Sequence, residues 1–268
     1  MQDNISGASF RTHLNYLKCL DSLLSNTELL VAPIKKIQPP NKDLIRFQKL
    51  DGLTNISIKK DIQLSQKEQE FALIAAPWFS VKCYYSLYYL ESVLIYLIDG
   101  SNVGFTKTGH GAVRKKIQSL IISRSILFNN PDINRIYKLE EIKSFTSISS
   151  GKNAKWNYWQ DKECTNSIAK KLMEYKLYDA KLGHKWNLRL KKFQEEQNQF
   201  ISIEKITLLD FFFWYRIKAN YRDLDFIDFE NETSIQSVKT YIEIYYNAYT
   251  KYRNNLLKNI QNLLVKEI

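Results

Sequence analysis

Residues 77–99, PWFSVKCYYSLYYLESVLIYLID, set the tightest limit on what this chain can fold into. Apolar and aromatic side chains fill nearly every position. The few polar ones (Ser80, Lys82, Ser86, Glu91, Ser92) do not gather on one helical face. A helix that is apolar nearly all round is buried by its neighbours. A membrane span needs about 20 apolar residues, and Lys82, Glu91 and the run of tyrosines argue against one here. A strand fails on length, since strands rarely exceed about 10 residues. Residues 80–98 are therefore expected to be the central helix of an all-α domain.

The rest of the chain fits that class. With 268 residues, 44% of them hydrophobic, the chain can bury a large core, and eight glycines and five prolines leave few turns for a many-stranded sheet. Phe10, Leu14, Leu17, Leu20 and Leu24 recur at helical spacing and predict a helix over 9–30. Residues 44–64 are ambiguous, with Ile56 and Ile58 readable as a short strand or an irregular crossing. Ser65-Gln-Lys-Glu68 has capping-box spacing, which predicts a helix start near 66, with Pro77 kinking or ending it. A glycine-containing polar loop follows residue 99. Val113, Ile117, Leu120 and Ile121 then mark another helix. The dense run 208–219 and the seam Ile235, Val238, Ile242, Tyr245, Tyr249, Tyr252, Leu256 are the natural partners of the central helix.

Composition also narrows function. The net charge of +11 favours nucleic acid or another anionic partner. Cys19, Cys83 and Cys164 are too few and too scattered for a disulfide framework or a zinc site, and no signal-peptide pattern opens the sequence, so a reducing cytoplasm is expected. There is no Walker-type loop, no His-Glu-x-x-His and no Gly-x-Ser-x-Gly elbow, so neither metal nor cofactor is expected.

The segment YYSLYYLESVLIYLID, a glycine-containing loop, and then Lys107-Thr108-Gly109-His110-Gly111-Ala112-Val113 resembles the HEPN domain. Arg216-Ile-Lys-Ala219-Asn220-Tyr221 resembles that family's Arg-x-x-Ala-Asp-Tyr element, and a last long helix follows it. The resemblance implies a helical bundle made of 66–127 and 207–268, with an N-terminal extension over 1–65 and an insertion over 128–206. It also implies a protein of a bacterial defence or toxin system, a homodimer or a subunit of a larger complex, that acts on RNA. Many members are metal-independent endoribonucleases; others bind nucleic acid or partner proteins without catalysis. The family's Arg-x4–6-His motif is absent. Arg216 with Tyr221 keeps the spacing but puts Tyr where His would stand, and Arg253-Asn254 is followed by Lys258. His110, Arg114, Arg216 and Tyr221 are the catalytic candidates. Metal-free cleavage needs a proton-transfer group, for which His is suited, and a fixed cation facing the phosphate, for which Arg is suited.

The insertion carries a second signal. Residues 143–192 hold twelve Lys/Arg against four acids, with Trp156, Tyr158, Trp159 and Trp186 among them. Cations hold phosphates and flat rings stack on bases. Lys152, Lys155, Trp156, Trp159, Lys162, Lys185, Trp186, Arg189 and Lys192 are accordingly candidate nucleic-acid contacts, unless the rings pack the insertion onto the bundle and the lysines only solvate it.

Overall fold

The computed structural model describes residues 5–34, 38–39, 41–106, 109–145, 161–182, 191–221 and 232–265. Helix α1 (Ile5–Ser25) leads into strand β1 (Leu29–Val31). Helices α2 (Lys42–Lys67), α3 (Gln69–Asp99) and α4 (His110–Ile122) follow, and then β2 (Ile126–Phe128). Short pieces come next: α5 (Pro131–Asn134), β3 (Tyr137–Lys138) and α6 (Leu139–Ile142). The chain continues through α7 (Asp161–Asp179), α8 (Lys191–Ile203), β4 (Lys205–Ile206), α9 (Asp210–Tyr221) and α10 (Glu232–Val265). Among the described residues the strands form two antiparallel pairs, with Leu29 opposite Phe128 and Tyr137 opposite Ile206. The class is all-α, as expected.

α3 is the axis, packed by α2, α4, α9 and α10. Tyr84, Leu87 and Leu94 are each at most 1% exposed. The helix begins eleven residues before the expected start at 80 and runs through Pro77 without stopping. Ala72, Ala75, Ala76 and Phe79 are buried on both sides of that proline, so one lost backbone bond is outweighed by continuous packing. The capping-box expectation at Ser65 fails for a related reason. Ser65 is buried in the last turn of α2, and the break falls at Glu68, whose N–H closes back on Leu64 O at 2.8 Å.

The ambiguous stretch 44–64 is helical. Asn41 caps α2 by accepting from Asp43 N at 2.8 Å. Leu44, Phe47, Asp51, Ile58, Asp61 and Ser65 face inward at helical intervals, while Leu53 and Ile56 face out. The apolar pattern is blurred because carboxylates occupy the buried face. Each is paired: Asp51 takes two bonds from Arg253, at 2.6 and 3.1 Å, and Asp61 takes Lys82 at 2.6 Å.

The α10 seam is buried as its spacing predicts, from Val238 to Leu256. Further along, Asn255 and Asn259 donate to the Thr27 and Leu29 carbonyls, each at 2.8 Å, and hold the start of β1 against the helix. α7 buries Cys164, Ile168 and Leu172 against α1 and α9. One continuous core, from Leu14 to Leu263, therefore draws on the extension, the bundle segments and the insertion alike. Cys19 of α1 is disulfide-bonded to Cys164 of α7, with Cα atoms 6.3 Å apart. This corrects the expectation drawn from scattered cysteines: a separation of 145 residues hides a pair that helix packing brings together, and the cysteines give no support to a reducing compartment. Cys83 is a buried thiol. No described helix is long and apolar enough to cross a membrane.

Candidate functional site

The site is delivered by the turn between α3 and α4. Gly100 ends α3 in the left-handed conformation (φ 74°), its N–H bonded to Tyr96 O at 2.8 Å. Gly104 then passes so close to the Ser92 side chain that a Cβ there would collide with it. Its carbonyl accepts from Tyr88 OH at 2.9 Å. Phe105 packs edge-on against Phe47, 4.9 Å between centroids. With the loop so pinned, His110 becomes the first residue of α4.

His110 is half-buried against three tyrosines of α3. Its ring centroid lies 4.5 Å from Tyr88 and 5.4 Å from both Tyr84 and Tyr85. Arg216, 106 residues later on α9, lies on the same surface. Its guanidinium carbon is 4.9 Å from the Tyr84 ring, 5.8 Å from Tyr85 and 5.3 Å from Phe213. Ring faces attract such a cation. Burial, and then the charge of Arg216, push the His110 pKa down to about 4, so the imidazole is neutral at pH 7. Two buried polar atoms here, His110 Nδ1 and Arg216 Nε, find no hydrogen-bond partner among the described residues.

The helix end adds to this. Gly109 caps α4 without a side-chain bond, and the first turn holds no acid. A Cβ on Gly109 or Gly111 would meet nothing within 4 Å, so the approach is open. The N–H groups of a first helical turn and the positive end of the helix dipole suit an anion. A neutral imidazole, a guanidinium and the start of a helix therefore lie together on a tyrosine floor.

The other catalytic candidates are placed differently. Arg114, one turn below His110, is only 4% exposed. It binds Glu91 at 2.7 Å and Asp210 at 3.0 Å, while Tyr252 OH donates to Glu91 at 2.8 Å and Gln118 to Asp210 at 3.0 Å. These contacts tie α3, α4, α9 and α10 together. Arg114 is thus a core tie, because one helical turn inward from an open N-terminus is already interior. Tyr221 ends α9, and its side chain lies outside the described residues, as does any pairing of Arg216 with Asp223 or Asp225. The second Arg-motif candidate, Arg253, is held by Asp51.

Of the insertion candidates, Lys152, Lys155, Trp156, Trp159, Lys185, Trp186 and Arg189 lie outside the described residues, as does the side chain of Lys162. Lys192 is exposed on α8, 4.0 Å from Glu196. Nearby lysines are engaged: Lys170 donates to Phe145 O and Lys176 binds Glu204 at 2.7 Å.

Sequence reasoning missed a pocket of about 240 Å³ beside His110, between α4, α7, α8 and α9. Gln118, Asp179, Phe200 and Trp214 line it, together with Gly111 and Phe213, which adjoin His110 and Arg216. These residues come from four separate helices, so no local spacing announces them. The supporting network did leave one trace, since a carboxylate such as Glu91 in so densely apolar a helix requires a buried partner. Comparison with protein-family models, curated proteins and solved structures finds no match to this chain. Among the described residues no cluster of three or more His, Cys, Asp or Glu is arranged to hold a metal ion.

Proposed function

We propose that this chain is a HEPN-like protein of a bacterial defence or toxin system that acts on RNA at the His110–Arg216 surface. The observation that carries the reading is the meeting of His110 and Arg216 on Tyr84 and Tyr85, each with a buried nitrogen that has no partner among the described residues. A phosphodiester suits that arrangement. Arg216 and the start of α4 supply positive potential, and the neutral His110 accepts or donates a hydrogen bond. In metal-independent endoribonucleolytic cleavage His110 would take the 2′-OH proton as that oxygen attacks phosphorus. The bond to the 5′-oxygen would break as that oxygen takes a proton back from the imidazolium or from water, and Arg216 would face the charge that builds on the phosphorus centre. A bound phosphate would offset the Arg216 charge and lift the His110 pKa toward the range where proton transfer is efficient.

One observation favours a second reading, a non-catalytic HEPN-like subunit that binds RNA or a partner protein. With a pKa of about 4, His110 in the free protein is a weak base at neutral pH. The test is incubation of the purified protein with total RNA, with and without EDTA. Cleavage that survives EDTA and is lost in His110→Ala supports the first reading. Salt-dependent RNA binding without cleavage supports the second. Neither binding nor cleavage would remove RNA from both.

A further inference from the structure

The pocket beside His110 has a chemistry that the phosphate-facing residues do not use. Its volume, about 240 Å³, falls below the roughly 300–1,000 Å³ of pockets for drug-sized ligands. It therefore suits a single flat ring system rather than a whole nucleotide. Phe200, Phe213 and Trp214 give it aromatic walls. Most of its charged groups are already committed. Glu204 is held by Lys115 at 3.1 Å and by Lys176 at 2.7 Å. Asp210 is held by Arg114, by Gln118 and by Thr207 N–H.

Asp179 differs from these. It is the last residue of α7, where the helix dipole disfavours a carboxylate. It is exposed at the pocket, and among the described residues no cation or N–H is paired with it. A carboxylate is an acceptor only, and its two oxygens can receive two parallel N–H groups. Guanine alone of the four RNA bases presents two adjacent donors, the ring N1–H and the exocyclic amino group. Adenine and cytosine set one amino group beside a ring acceptor, and uracil sets one N–H between two carbonyls, which a carboxylate repels.

We infer that this pocket is a guanine subsite, with the Asp179 carboxylate reading the N1–H and amino edge and the aromatic walls holding the ring. The inference rests on the RNA reading for its natural ligand, the base of a nucleotide whose phosphate meets Arg216. Gly111 follows His110 directly, and the Phe213 ring that lines the pocket also lies under the Arg216 guanidinium, so base and phosphate positions adjoin.

The test is calorimetric titration of the full chain with GMP, AMP, CMP and UMP at up to millimolar concentration, and with guanosine, which carries no phosphate. GMP should bind at least about tenfold tighter than the other three nucleotides, the scale expected when a built hydrogen-bonding edge is left unpaired. Asp179→Asn should weaken GMP binding about 10- to 100-fold, with UMP binding and melting temperature unchanged, since the side chain is exposed. Arg216→Ala should lose RNA affinity yet keep guanosine binding, which separates the pocket from the phosphate site. Equal affinity for the four nucleotides, no GMP binding at millimolar concentration, or parental GMP affinity in Asp179→Asn would each overturn the guanine subsite while leaving the RNA site to its own test.

Discussion

Replacing Arg114 by Met should destabilise the fold by about 3–5 kcal/mol, the usual cost of removing one partner from a buried ion pair. The structure puts the change at the severe end. Glu91 is wholly buried and Asp210 is 3% exposed, so neither carboxylate can turn to water when the guanidinium goes. Tyr252 OH and Gln118 still reach them, but neutral donors do not replace a charge. Burial already holds the Glu91 pKa above its ordinary value, with Arg114 opposing. Without Arg114 the Glu91 pKa moves up further, so the penalty is largest at neutral pH and shrinks as acid protonates it. Urea unfolding at pH 7 and pH 5, with m compared alongside the midpoint, reads both effects. Arg114→Met combined with Glu91→Gln should recover part of the loss, since one of the two stranded charges is gone. A single-variant loss below about 1 kcal/mol, with RNA activity abolished, would refute the assignment of Arg114 to the core and return it to the site.

Other perturbations have equally definite outcomes. The unfolded chain protonates His110 near 6.5 while the folded one resists until about 4, so stability should fall as pH drops through that window. The full difference is worth about 3 kcal/mol, and solvent screening at a half-buried ring brings it to about 1–2; His110→Gln should flatten that slope in pH-dependent unfolding. Reducing Cys19–Cys164, which closes a loop of 145 residues, should cost about 2–5 kcal/mol and lower the melting temperature measured with dithiothreitol. Changing Lys152, Lys155 and Lys162 together to Glu should weaken RNA binding across sequences and flatten its salt dependence, by about 0.7 in log–log slope per lost phosphate contact on single strands. Unchanged affinity with an intact fold would leave the insertion as a solvated face.

What could be read in advance was whatever depends on local periodicity. The 77–99 stretch announced a buried helix because no face of it is polar, and the α10 seam from Val238 to Leu256 is buried as its spacing required. α2 was obscured because Asp51 and Asp61 sit on its inner face and Leu53 and Ile56 on its outer one. Such an inversion is sensible only once Arg253 and Lys82 are seen to arrive from other helices. Pro77 and Ser65 misled in the same way, since local breaking and capping signals yielded to tertiary packing. For the site, His110 and Arg216 were legible as residue types, but their shared tyrosine surface depends on α3, α4 and α9 packing together. Arg114 does lie one helical turn from His110, but nothing local marks how deep it sits. The Cys19–Cys164 bond and the Asp179 pocket join elements far apart in sequence and leave no local trace.

The RNA reading stands or falls on His110 and Arg216 acting together. Single-turnover RNA cleavage in EDTA and RNA affinity at fixed salt should be measured for the parent, His110→Ala, Arg216→Ala and the double variant, each with its melting temperature. With folds intact, the expected result is loss of RNA affinity in Arg216→Ala, loss of cleavage in His110→Ala, and a double variant little worse than the more damaging single one, as for groups acting on one phosphate. Parental cleavage and parental RNA affinity in the double variant, at an unchanged melting temperature, would contradict it.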